Sequence, residues 1–209
     1  LLERQGKYDK AVPLAVDRYH LLQTEEAKSD LAKSFGNYSA MLNLEKDYSA
    51  GLDFLSRVYD RYGQIENLPE LVEAFINNKM IFLAEPLSRQ SLEKARRFLD
   101  DQKQRPYARG ADISGLYTYL YARRAQLIAE EGEGYLEAVK YLESLPAEVL
   151  EEKRIQRQIR VYRKNAVVDI HNRFAGLFNS GHIDQAREVL ERGMSLFPNN
   201  PTLQSDQKL

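Results

Sequence analysis

Five alanines recur along this chain in one local setting, each just inside the start of an amphipathic helix: Ala11, Ala50, Ala95, Ala138 and Ala186. An apolar or aromatic residue lies three positions before four of them (Tyr8, Leu92, Tyr135 and Ile183), and Tyr48 lies two before Ala50. Apolar pairs follow at three and four residues, as Leu14/Ala15, Phe98/Leu99, Tyr141/Leu142 and Val189/Leu190, with Phe54 alone after Ala50. A small residue at such a point lets two helices cross closely, where a large side chain would hold the backbones apart. Self-similarity at a period of tens of residues is the signature of an array in which one helical unit stacks on the next.

Helical periodicity dominates, and no stretch alternates with the period of a strand. The pattern predicts an all-α fold of about ten helices in five antiparallel pairs. The first pair is cut, with Leu1 to Gln5 ending one helix, Gly6 turning and Tyr8 to Leu22 forming the next. The others are about Glu25–Lys46 with Tyr48–Tyr62, Leu68–Ala84 with Ser91–Gln104, Asp112–Glu131 with Tyr135–Leu145, and Ala147–Asn179 with Ile183–Phe197. Gly132 and Gly134 make the turn in the fourth pair, and Arg105–Gly115 reads as a long loop or a hinge. Residues 1–209 form one helical-repeat domain, expected to be part of a longer chain because Leu1 begins mid-repeat.

The last copy resembles the second half of a tetratricopeptide repeat. That family pattern has a turn glycine, an alanine five later, then a bulky residue, a small residue and a proline at four, seven and twelve beyond the alanine. Gly181, Ala186, Leu190, Gly193 and Pro198 fill it, and Gly6, Tyr8 and Ala11 echo it in the first copy. The middle copies depart, placing Arg57, Gln102 and Leu145 at the small position. The alanines are 39, 45, 43 and 48 residues apart, against about 34 for a standard tetratricopeptide repeat. A HEAT-like array is the structural alternative, being nearer in repeat length. The resemblance implies an α-solenoid, a right-handed superhelix whose first helices line a concave groove that binds peptides or partner proteins, with no catalytic residues.

Chemistry is hard to place on this sequence. There is no cysteine, which removes thiolate metal sites and cysteine nucleophiles and leaves cytosol and periplasm both compatible with a soluble protein. His20, His171 and His182 lack the three- or four-residue spacing of a helical metal pair. Gly132-Glu133-Gly134 lacks the context of a phosphate loop. A net charge of −1 supplies no global field for nucleic acid or an acidic membrane. The expectation is a protein that is not an enzyme and carries no cofactor.

Cations recur on apolar stripes of three successive first helices. Lys79 sits among Phe75 and Phe82, Arg124 among Leu120, Tyr121 and Leu127, and Arg163 between Ile159 and Val167. Residues three and four apart share a helix face. Such cations either snorkel and pair internally or face the groove and hold a partner's carboxylates, a role for which the planar guanidinium is suited. Tyr117 and Tyr121 lie on one side of the same helix as Arg124, as packing or interface residues. Lys33 and Asn37, four apart, are similar to the lysine–asparagine pair of the family's carboxylate clamp. The candidate partner-binding set is therefore Lys33, Asn37, Lys79, Tyr117, Tyr121, Arg124 and Arg163. The expected role is a scaffold for a protein or peptide bearing acidic groups, without nucleic acid or membrane insertion. Self-association or domain linking, and a small-ligand sensor with an enclosed pocket, are the alternatives.

Overall fold

The computed structural model describes residues 2, 5–63, 68–131 and 134–208. The helix end expected over residues 1–5 falls largely outside these residues, as does Gly132. Among the described residues the chain is helical with no strand, and eleven α-helices follow one another. They are α1 (Tyr8–Leu22), α2 (Glu25–Leu44), α3 (Tyr48–Tyr62), α4 (Leu68–Leu83), α5 (Arg89–Lys103), α6 (Ser114–Glu130), α7 (Gly134–Glu143), α8 (Ala147–Leu150), α9 (Lys153–Asn179), α10 (Ile183–Leu196) and α11 (Pro201–Asp206). No described helix is long and apolar enough to cross a membrane.

The chain packs as two compact units, Leu1–Leu120 and Tyr121–Leu209, with the division inside α6. In the first, α1 to α4 each pack on the next helix, and α2 also meets α4. Its core draws on Leu31, Phe35 and Leu42 of α2, Leu52, Leu55 and Val58 of α3, and Val72, Phe75, Ile76 and Met80 of α4. In the second unit α9 is the hub, packing on α7, α8, α10 and α11. Ala122, Ala125 and Ile128 of α6 join Ala138, Leu142, Ile155 and Ile159 in one cluster, and Val167, Phe174, Ala186, Leu190 and Leu203 form another.

The small-residue rule holds where helices come closest. Ala95, Ala138 and Ala186 are at most 1 % exposed. Gly193 lies under Ile170, whose Cγ2 would be 2.6 Å from an added Cβ. The second copy is different: Ala50 is only half-buried, and the close approach falls one residue later, at Gly51, where a Cβ would overlap the Phe75 ring. Counting from Gly51 restores the common pattern, with Tyr48 three before and Phe54/Leu55 three and four after. The residue seven after becomes buried Val58 instead of exposed Arg57. Ala50 has another task, donating its backbone N–H to the Asp47 carboxylate that caps α3. In the first copy Leu14 stays exposed, because α1 buries Val12 and Val16 instead.

The helix expected over Ala147–Asn179 is broken. Glu152 adopts an extended conformation between α8 and α9, and the Gln156 side-chain amide donates to the Leu150 carbonyl across the break, at 2.7 Å. The segment after α5 is a packed connection rather than a loose loop. Pro106–Ala108 make a 3-10 turn that contacts α3 and α4, and the Tyr107 hydroxyl donates to Gln102 Oε1 at 2.5 Å. That bond satisfies Gln102, which is buried at the place where the family pattern has a small residue. At the far end Asn200 caps α11 by accepting from the Thr202 and Leu203 amides. Asp206, 5 % exposed, holds His171 Nδ1 at 2.8 Å.

Two glycines in mid-helix provide opposite tests. An added Cβ at Gly36 meets nothing within 4 Å, whereas at Gly51 it meets Phe75. Gly36→Ala is expected to stabilise by about 0.5–1 kcal/mol through reduced chain entropy. Gly51→Ala is expected to destabilise by about 1–3 kcal/mol through overpacking. Urea unfolding of both variants checks this, and a neutral Gly51→Ala would show that the α3–α4 contact is not tight.

Candidate functional site

The structure places the seven candidate residues on four helices, α2, α4, α6 and α9, and gives most of them internal work. Lys79, half-buried on α4, donates from Nζ to Ser49 Oγ at 2.9 Å and lies 5.0 Å from the Phe98 ring centre. It thereby ties α3, α4 and α5. The Tyr117 hydroxyl donates to Asp100 Oδ1 at 2.8 Å, joining α6 to α5. Tyr121 packs on the cluster around Ala125 and Leu142. Arg163 is exposed on α9 and grips Glu143 of α7 through Nε at 3.0 Å and a terminal nitrogen at 2.5 Å. Lys33 and Asn37 are exposed on α2, one turn apart, on the side away from Leu31 and Phe35.

Arg124, half-buried on α6, acts electrostatically on Tyr141 of α7. Burial pushes the Tyr141 hydroxyl up to about 12, against the smaller opposing pull of Arg124. A buried phenol resists ionising because its anion loses water.

A broad concavity lies elsewhere, in the second unit. It is a cleft of about 560 Å³ between the start of α7, one side of α9 and one side of α10. Each of the two longer helices contributes about 17 Å of its length, from Ala166 to Leu177 and from Gln185 to Leu196. Ala166, Ile170, Leu177, Val189 and Leu196 provide apolar surface. Asp169 and Arg173 on α9, and Glu188 and Arg192 on α10, provide charge. All four are exposed, and among the described residues none of the four forms an ion pair. Gly193 lets α10 approach Ile170 at the cleft's edge. A smaller hollow of about 280 Å³ lies between α9, α10 and α11, with Phe174, Phe178, Ile183 and Met194 in its wall.

These cleft residues carry a weak sequence signal. Asp169/Arg173 and Glu188/Arg192 are both acid-before-base pairs at a spacing of four, which ordinarily reads as two solvated helix faces. Only the packing of α9 on α10 puts the two pairs around one cleft. No group of His, Asp and Glu among the described residues is arranged to hold a metal ion. His171 is tied to Asp206 and His20 lies on the Tyr62 ring, 5.0 Å between centres.

Tyr141 is expected to titrate at about 12, followed by ultraviolet difference titration against Tyr141→Phe. Arg124→Leu should move it higher still, since the cation favours the phenolate. Because an unfolded tyrosine ionises near 10, unfolding free energy falls as pH rises from about 10 to about 12. A Tyr141 that titrates at the ordinary value would contradict the packing described for α6 and α7.

The chain matches no family model, and neither a curated protein nor a solved structure matches it.

Proposed function

We propose that this protein is a non-enzymatic, tetratricopeptide-like scaffold, an α-solenoid of helix pairs that holds a segment of a partner protein. The observation that carries the reading is the cleft on α9 and α10. Its apolar surface is bordered by four unpaired charges of both signs along about three turns of two helices. Apolar contact supplies affinity in such an arrangement, while charges set orientation and register. An extended segment of about five residues spans the same length.

The helix packing supports the array. The first helices of two neighbouring pairs, α2 and α4, touch, as stacked repeats require. The internal bonds of Lys79 and Arg163 favour the structural account of these two cations. Partner contact then falls to the cleft, to exposed Lys33 and Asn37, and to Arg124.

Self-association is a second reading, favoured by α1. Leu14 and Leu21, two turns apart, are 60 % and 83 % exposed. Light scattering over a range of concentrations tests it. A monomer throughout, unchanged by Leu14→Lys with Leu21→Lys, removes it.

Leu196 lines the cleft and is 42 % exposed, so its replacement does not touch the core. Leu196→Arg is expected to leave the melting temperature within a few degrees of the parent. It should weaken capture of a partner protein from native extract by about tenfold. If the intact protein retains no partner that depends on Leu196, the scaffold reading through this cleft is wrong.

A further inference from the structure

Several helices of this chain neutralise cations within a turn or across a helix pair. Arg96 and Arg97 bond to Glu93, Arg105 to Asp101, Lys140 to Glu137, and Arg18 to Glu26 and Asp30. The Glu93 carboxyl is held down to about 2 by Arg96 and Arg97. The first part of α9 pairs Arg163 with Glu143 of α7 but also carries a row of cations without a partner among the described residues. From Lys153 to Val168 it contains no acidic residue, and Lys153, Arg157, Arg160 and Lys164 follow at intervals of four, three and four. That spacing puts them on one helical face, a stripe about 17 Å long. All four are exposed, on the side away from buried Ile155, Ile159 and Ala166. None is paired among the described residues. Beside the stripe stand Val161 and Val168, seven apart and 48 % and 46 % exposed.

We infer that this face of α9 is the docking surface for an acidic amphipathic segment of a partner protein. The inference rests on the scaffold reading and names the chemistry of the partner. Four like charges in a row repel one another, so the face gains most from a ligand that brings carboxylates at matching intervals. The two valines decide between kinds of polyanion. A nucleic-acid backbone offers phosphates but little apolar surface to cover them, whereas an amphipathic segment offers apolar side chains beside its acids. Binding to nucleic acid also draws on a broad basic field, and the whole chain has a net charge of −1. The surface is distinct from the cleft, which uses the α9 side chains of Ala166, Ile170 and Arg173.

The test uses fluorescence anisotropy with the intact chain. The probes are a synthetic peptide of about three helical turns with glutamates every three or four positions and leucines every seven, the same peptide with lysines for glutamates, a single-stranded oligonucleotide, and phosphatidylserine vesicles. The acidic peptide should bind, the lysine peptide should not, and affinity should fall as salt rises. Arg157→Glu with Lys164→Glu should lower affinity about tenfold or more, whereas Lys94→Glu with Lys103→Glu on α5 should not. Val161→Ser with Val168→Ser should lower it several-fold and leave the salt dependence unchanged. Circular dichroism should show all three variants folded.

The inference is overturned if reversal on α9 leaves the peptide's affinity unchanged. Tighter binding of the oligonucleotide or the vesicles, indifferent to the valines, overturns it in favour of another polyanion. A captured partner that is lost with Leu196→Arg and kept with the α9 reversal sinks this inference and preserves the scaffold. If neither change releases any captured protein, the scaffold reading falls and this inference falls with it.

Discussion

Close approach of helix backbones at small residues is the constraint on which this structure depends. At Ala95, Ala138 and Ala186 the side chain is at most 1 % exposed, and at Gly51 and Gly193 there is no room even for a methyl group. Each such site fixes the distance between two helices, and the distance decides which larger side chains meet around it. The Phe75 ring occupies the space over Gly51, and Ile170 that over Gly193. Packed interiors tolerate such fits only within narrow volume limits. The cleft in the second unit follows from the same contact. With α10 held close to α9 at Gly193, the side chains of Asp169, Arg173, Glu188 and Arg192 stand around a shared hollow.

Much of the secondary structure was legible in the sequence because it is written in local terms. Tyr8–Leu22 and Tyr48–Tyr62 form the helices expected of them, as a 3.6-residue apolar stripe and the flanking turn residues define both ends. The departures have physical causes. Ala50 fits a pattern of small residues by identity, but its role is set by the Asp47 cap one turn away, and its neighbour Gly51 makes the contact. The break at Glu152 leaves no trace in periodicity, because a glutamate serves a helix start as well as an interior. The segment near Pro106 reads as a loop from its proline and glycines, whereas burial of Tyr107 makes it part of the core.

Sites were harder to read than helices. A lysine or arginine on an apolar stripe can turn inward or outward, and spacing along one helix does not say which. Lys79 found Ser49 and Phe98, and Arg163 found Glu143, on helices far away in sequence. The cleft combines charges that look ordinary on each helix taken alone. The bare cations of α9 were passed over in the sequence, because their lack of partners is a property of the folded unit. An exposed ion pair between side chains adds little stability. A stripe without one costs little to keep and leaves its charge available.

The unequal lengths of the helices have a consequence for assembly. The helices that open successive pairs contain 20, 16, 17 and 27 residues, so no two copies present the same stretch of surface. In an array of identical units, a segment that docks one unit out of place finds an equivalent seat, and strands of folding chain can trade places within or between molecules. Here the seat over Gly51 holds Phe75 and the seat over Gly193 holds Ile170, side chains of different size and shape, so a shifted segment would fill neither seat in the same way. Helices of unequal length, each with its own seat, favour one order of packing over shifted alternatives.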